Sequence, residues 1–535
     1  MKSLARSFWL FVALVGQVIA PAQVAPPAQT AAPARAPIET YISNTWDVLT
    51  RTHRELAQAA VDPKSPALPD GRWPVYISQR ENLAKVSEQL RREMAPGTFS
   101  KIELRVLPAN GLAAPTNALA TQPGLLYLPY PYAVPGGRFN EMYGWDSYFI
   151  VLGLLHDGKI ELAKNMVDNF LYEIRYYGKI LNANRTYYLT RSQPPFLPEM
   201  LLEVYRATND KAWLEGALPS LIETHRFWTT EPHLTPETGL SRYYDFGSGP
   251  APEVLSSEKD EHGRNHYDLI KDYYRTHDVD DYDLTQYLDR AHDQLKPLFY
   301  KGDRSMRESG FDPSNRFGPF NIDIVHYNPV CLNTLLYLME TQTAEILKIL
   351  AKDSEAKPWL DRAAKRAARI NELTWDEKDG LYYDYNFERR RVRHYPFLTT
   401  FFPLWAGIAS KEQAARVLSN LPKFEQPGGL ETSTFVSGNQ WDAPYAWAPL
   451  EMIAVEGMRR YGYNTDADRV SKEFLSLVQE AYQQDGVIVE KYDAVRRATS
   501  VSGSIRFGYR TNEPGFGWTN GVYTRLSDEL KAAKN

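Results

Sequence analysis

The 535 residues contain a single cysteine, Cys331. That excludes an internal disulfide framework, a cysteine-based zinc finger and a cysteine-ligated cluster. An excess of one charge is missing too: 61 Lys plus Arg stand against 66 Asp plus Glu, a net of −5. So balanced a chain carries no electrostatic footprint for nucleic acid or an anionic membrane. Beyond Ile19 no apolar run approaches the about 20 residues a membrane span needs. There is no G-x-S-x-G elbow, P-loop or dinucleotide fingerprint. Metal patterns are thin. His262 and His266 have i, i+4 spacing beside Glu261, but no Glu lies between them in H-E-x-x-H fashion. Asp278-Val-Asp280 starts like a calcium loop, yet Tyr282 and Asp283 fill positions that need an oxygen ligand and a glycine. No metal and no cofactor are expected, and Cys331 reads as a core residue.

What the chain has in quantity is rings. Aromatic residues reach 13%, with 34 Tyr and 12 Trp, inside a hydrophobic share of 43%. That share supports a folded, sizeable core, and the rings are also what stacks on the apolar faces of sugars. At the start, Lys2 and Arg6 precede the apolar run 8–19 and then Ala20-Pro21-Ala22. This is the pattern of a secretory signal over 1–22, with an uncleaved anchor as the alternative. Residues 23–37 are rich in Ala and Pro and read as an extended tether. The expectation is export to the periplasm or beyond, with no integral membrane span once the signal is removed.

From 38 to 535 the periodicity is helical. In 160–177, Leu162, Met166, Phe170 and Ile174 recur four apart as one apolar stripe. Similar segments occupy 197–207, 213–228, 329–351, 357–374, 443–461 and 466–482. Strand-like pieces at 380–386 and 487–492 do not alternate with helices as a parallel sheet requires. With no clear internal repeat, the reading is one all-α domain over 38–535: helical hairpins in series, joined by long loops.

Four loops concentrate polar groups among Gly, Pro and rings: 135–149, 191–196, 307–316 and 438–449. Carboxylates that accept from vicinal hydroxyls, beside indoles that cover C–H faces, suit a polyhydroxylated ligand. Cleaving a glycosidic bond takes two carboxyl groups, one a protonated acid and the other a base or nucleophile. Asp312, between Phe311 and Pro313, has the apolar setting that raises an acid's pKa. Glu490 ends the apolar run 487–489 and is placed as a fixed base. Composition alone leaves both as candidates among 66 acidic residues.

These segments resemble the trehalase family, glycoside hydrolase family 37. Its two signatures read here as 135–148 and as QWDAPYAWAP at 440–449, and the likeness continues through NANRTYYLTRSQPPF at 182–196, 308–316 and GFGWTNGVY at 515–523. The resemblance implies an (α/α)6 barrel, or toroid, and hydrolysis of α,α-trehalose to two glucoses with inversion. It implies Asp312 as general acid and Glu490 as the base that activates water. By the same resemblance the sugar contacts are Arg138, Trp145, Asp146, Asn182, Arg191, Ser192, Gln193, Glu253 and Gly310. A disaccharide is the expected partner and a monomer the expected state.

Departures from the family bear on specificity. Ala251-Pro252-Glu253 stands where trehalases have Arg-Pro-Glu, so a guanidinium is missing. The Gly-rich lid is replaced by the Arg-rich 494–514, where Glu513 is a candidate substitute for the lid glutamate and Arg506 and Arg510 for the guanidinium. Phe311 replaces the Trp before the catalytic Asp, Tyr445-Ala446 replaces Asn-Gly, and 253–312 carries a charged, Tyr-rich insertion. Two alternatives follow: a glycosidase of the same fold acting on another α-linked glucoside, or a non-catalytic sugar-binding protein.

Overall fold

The apolar stripe of 160–177 folds as the helix Ile160–Tyr177, with Met166, Phe170 and Ile174 buried. It stops at Gly178, whose left-handed backbone (φ 87°) returns its N–H to the Ile174 carbonyl. A computed structural model of the chain describes residues 35–108, 122–255, 259, 262–501, 505–508 and 511–532. The expected signal 1–22, most of the tether, Glu261 and Arg510 lie outside them.

Twelve helices alternate between two layers. The outer ones are α1 (Ile38–Leu49), α3 (Ile160–Tyr177), α5 (Lys211–Trp228), α7 (Asp353–Thr374), α9 (Lys411–Ser419) and α11 (Asn464–Asp485). The inner ones are α2 (Asp146–His156), α4 (Leu197–Thr208), α6 (Val330–Ile349), α8 (Phe402–Ala406), α10 (Ala448–Arg460) and α12 (Gly517–Ala532). Each inner helix packs on the next, and α12 packs on α2, so the inner set closes into a ring. This is the expected (α/α)6 barrel. The inner helices read as apolar nearly all round because they are covered on both sides; in α2 every residue from Asp146 to Leu154 is buried. The seam between α2 and α12 needs glycine: a Cβ on Gly521 would lie 1.9 Å from the Phe149 carbonyl oxygen.

Small sheets decorate the ring. One is parallel, with Trp73–Ile77 between Ile102–Val106 and Leu125–Leu126, and was not foreseen. Two smaller pieces fall near the strand-like stretches read in the sequence. Asp384–Asn386 pairs with Tyr327–Asn328 and Arg391–Arg393, while Tyr492–Asp493 pairs with Tyr445–Ala446. The Tyr-rich insertion builds its own small core from Tyr267, Ile270, Tyr274, Tyr282, Tyr287 and Phe299. Its helix His266–Thr276 starts with a capping box between Asn265 and Asp268. No helix among the described residues is long and apolar enough to cross a membrane.

Candidate active site

The polar loops singled out in the sequence all enter inner helices at their N-terminal ends. The loop with Arg138 and Trp145 leads into α2, that with Asn182 and Arg191 into α4, and that with Gly310 and Asp312 into α6. The second signature leads into α10 and the Glu490 loop into α12. A rigid ring of helices thus aims five loops at one end of the barrel, the arrangement in which loops carry function.

Indoles wall the space between these loops. The Trp145 ring lies 5.6 Å from Phe311, 5.8 Å from Trp441 and 5.7 Å from Trp518 between centroids. Trp441 stacks on Trp447 at 3.7 Å and 6°. Gly310 sits against Trp145 with φ of 77°, and a Cβ there would meet the indole at 3.0 Å.

Asp312 and Glu490, 178 positions apart in sequence, are brought near enough for the Glu490 charge to act on Asp312. Burial pushes the Asp312 carboxyl up to about 7; Arg307 and Arg191 pull against that rise, and Glu490 adds to it. Its carbonyl accepts from the Gln440 side chain. Glu490 is held at both backbone ends: its N–H donates to the Glu513 carbonyl (3.1 Å) and its carbonyl accepts from Trp518 Nε1 (2.9 Å). Its Oε2 accepts from Lys491 Nζ at 2.8 Å. Asp146, the first residue of α2, is buried as Glu490 is; burial, reinforced by Glu490 and Asp312, pushes it up to about 8.

The other expected sugar contacts form one laced network. Arg191 pairs with Glu253 and stands 3.7 Å from Asp245. Burial would raise Glu253, but Arg191, Arg307 and Arg304 outweigh it and hold the carboxylate down at about 2. The Ser192 N–H donates to Glu308 Oε1 at 2.9 Å, and Gln193 Oε1 accepts from the Trp145 N–H at 2.9 Å. Asn182 accepts from Gly144 N–H and donates its own N–H to the Arg191 carbonyl, each at 3.2 Å. Arg138 joins from the rim: its Nε is 3.0 Å from Glu513 Oε2, and its N–H donates to Glu513 Oε1 at 3.0 Å.

Sequence reasoning missed Arg307. Ala251 is fully buried, and its N–H donates to Tyr267 Oη at 2.9 Å. Tyr267, from the insertion, donates to Asp303 at 2.8 Å, Asp303 pairs with Arg307 at 3.1 Å, and Arg307 Nη1 lies 3.7 Å from Asp312. A guanidinium beside Asp312 is thus supplied from the end of helix Pro297–Glu308. Arg506 is exposed on the 438 loop, its N–H on the Gly438 carbonyl. Also missed was Asp442, whose carboxylate gathers the Asn315 N–H, Tyr395 and Ser433 at 2.9 Å each, and Ser437 at 2.5 Å. It ties the second signature to the acid's loop. His266, weighed as a metal ligand, is half-buried and pushed down to about 4 by that burial, then by Arg307.

A family model described as Trehalase matches residues 41–531. The cytosolic neutral trehalase of Saccharomyces cerevisiae is 36% identical over 476 residues, 79% of this chain and 62% of that protein. That of Kluyveromyces lactis is 36% identical over 538 residues, covering 89% and 69%. This chain thus spans somewhat under two thirds of the first relative's length. Among solved structures, neutral trehalase Nth1 from Saccharomyces cerevisiae superposes with a TM-score of 0.75 at 33% identity, covering 92% of this chain and 94% of that one. The relatives' names correct one expectation: they are cytosolic, which overturns the periplasmic or secreted location read from residues 1–22. A short apolar run behind two basic residues is a hydropathy pattern, and hydropathy alone does not fix a compartment.

Proposed function

This chain belongs to the trehalase family, and we propose that it hydrolyses α,α-trehalose to two glucose molecules with inversion, in the cytosol, through one catalytic domain over 38–535. Asp312 is the general acid and Glu490 the general base. The observation that carries this is the contrast between two neighbouring carboxyl groups set among the same indoles, Glu490 buried and Asp312 partly buried. Asp312 is pushed up to about 7 by burial and so holds a proton near neutral pH, while Glu490 is hydrogen-bonded to a buried ammonium. An inverting hydrolase needs one protonated and one ionised carboxyl on opposite sides of the scissile bond, with room for water between them.

Asp312 donates its proton to the glycosidic oxygen as that bond breaks. Glu490 takes a proton from the water whose oxygen attacks the anomeric carbon. Arg138, Asn182, Arg191, Ser192, Gln193, Glu253, Asp146, Trp145 and Gly310 bind or shape the site for the sugar. A different α-linked glucoside was suggested by the loss of Arg at position 251. Arg307 beside Asp312 removes that motive by offering a guanidinium to the same cavity.

Two measurements test the proposal. Glucose release by Asp312→Asn and Glu490→Gln should fall by about 10²–10⁴-fold, the usual worth of general acid or base catalysis. Fresh product followed by NMR should contain α- and β-glucose in equal amounts. Near-normal turnover of either variant, or two α-glucoses, overturns it.

A further inference from the structure

Asp146 and Asp312, two carboxyl groups that burial pushes up, stand close to Glu490. A base in such company needs a fixed cation, and one is built in. The Lys491 side chain is 0% exposed. Its Nζ donates to Glu490 Oε2 at 2.8 Å and to the Thr511 carbonyl at 3.4 Å, and lies 5.1 Å from the centre of the Trp447 ring. Adjacent residues on an extended strand point to opposite faces. Here the backbone bends at Glu490, and the two side chains meet. Glu490 Oε1 accepts no hydrogen bond among the described residues.

We infer that Lys491 is the positioning residue of the base: its ammonium grips Oε2 and fixes the carboxylate, leaving Oε1 to receive the proton of the attacking water. The inference rests on the reading of Glu490 as base. Water gives its proton to Oε1 as its oxygen bonds the anomeric carbon. The electron pair of the broken glycosidic bond leaves on the oxygen that takes the Asp312 proton.

The charged and titratable groups facing the pair come from three other elements. Asp146 opens α2, Asp312 stands before α6 with Arg307 behind it, and Glu513 precedes α12 paired with Arg138. Arg307 serves Asp303 and Asp312 while Arg138 serves Glu513, so Lys491 is the cation in contact with Glu490 among the described residues.

The test compares Lys491→Met, Lys491→Gln and Lys491→Arg in the full chain. Each is followed by the pH profile of kcat/KM on trehalose, with glucose binding by calorimetry as the check that the site is intact. Removing a cation beside a carboxylate raises its pKa by roughly 1–3 units, so the acidic limb should climb by that much in the Met and Gln variants. At a pH below the new limb, kcat/KM then falls about tenfold for each unit. The Arg variant keeps the limb where the wild type has it. A Met or Gln variant that binds glucose and shows the wild-type acidic limb overturns the inference. Lys491→Gln, which still donates to Oε2, carries the same readout should Lys491→Met not fold. A wild-type chain that releases no glucose, or a fully active Glu490→Gln, would instead remove the functional reading beneath it.

Discussion

Replacing Gly310 by alanine is the sharpest probe of the site that leaves every carboxyl group in place. The backbone there has φ of 77°, and an added Cβ would stand 3.0 Å from Trp145 Cε2 and 3.1 Å from Nε1. A non-glycine residue in that conformation costs about 1–2 kcal/mol. Relaxed carbon contacts lie near about 3.5–4.0 Å, so the indole must yield by roughly half an ångström or more. It has little room, with Phe149, Phe311, Trp441 and Trp518 around it. Overpacking of this kind adds about 1–3 kcal/mol, which brings the expected loss of stability to about 2–5 kcal/mol. Because Trp145 opens the loop-to-helix junction that bears Asp146, its displacement also moves the site. An error of about 1 Å in such positioning can cost 10²-fold, so kcat/KM should fall about 10- to 100-fold. Gly137→Ala is the control, since a Cβ there meets nothing within 4 Å. Thermal unfolding and glucose release from trehalose read both effects. Wild-type Tm and kcat/KM in Gly310→Ala would refute the packing argument.

Other outcomes follow from the same geometry. Burial raises Asp312 to about 7 and the protonated form is the active acid, so kcat/KM should decline as pH rises through about 7; a profile flat to pH 9 contradicts this. Asp146 is raised to about 8, so the folded state binds its proton more tightly than the unfolded chain does. The stability this provides is complete below the usual carboxyl range and lost as pH climbs from there through about 8. Asp146→Asn should therefore melt above the wild type at pH 8–9, with the gap narrowing as pH falls and closing only below about 4, while losing activity. Glu513→Gln removes the charge that holds the half-exposed Arg138. It should raise KM by about threefold to tenfold with kcat retained, the scale of one weakened charged contact at a partly exposed site.

Much of the fold was legible because helices announce themselves by period. The stripe in 160–177 needed only its glycine stop, and helices read at 197–207, 357–374 and 466–482 differ from the observed ones by a few residues at their ends. The parallel sheet was not legible. Its strands are five residues or shorter, Trp73–Ile77 carries a proline, and a helix, Leu83–Glu93, separates it from its first partner. In the site, Asp312 and Glu490 were singled out through their motifs and apolar neighbours. Arg307 was hidden because its role depends on Tyr267 and Asp303, which the insertion brings from elsewhere in sequence. Lys491 was hidden for the opposite reason: it is Glu490's immediate neighbour, and an extended reading turns such neighbours apart. The location was misread because basic residues, a short apolar run and small residues over 1–22 make a pattern that does not by itself fix a compartment.

The glycine junction between α2 and α12 joins the first inner helix of the ring to the last. Asp146 hangs from the first inner helix to be synthesised, and Trp518, which fastens the Glu490 carbonyl, belongs to the last. A nascent chain halted anywhere before α12 therefore has an open cup with its acid and base unregistered. The circle shuts only when Gly521 of α12 lies against the Phe149 backbone of α2.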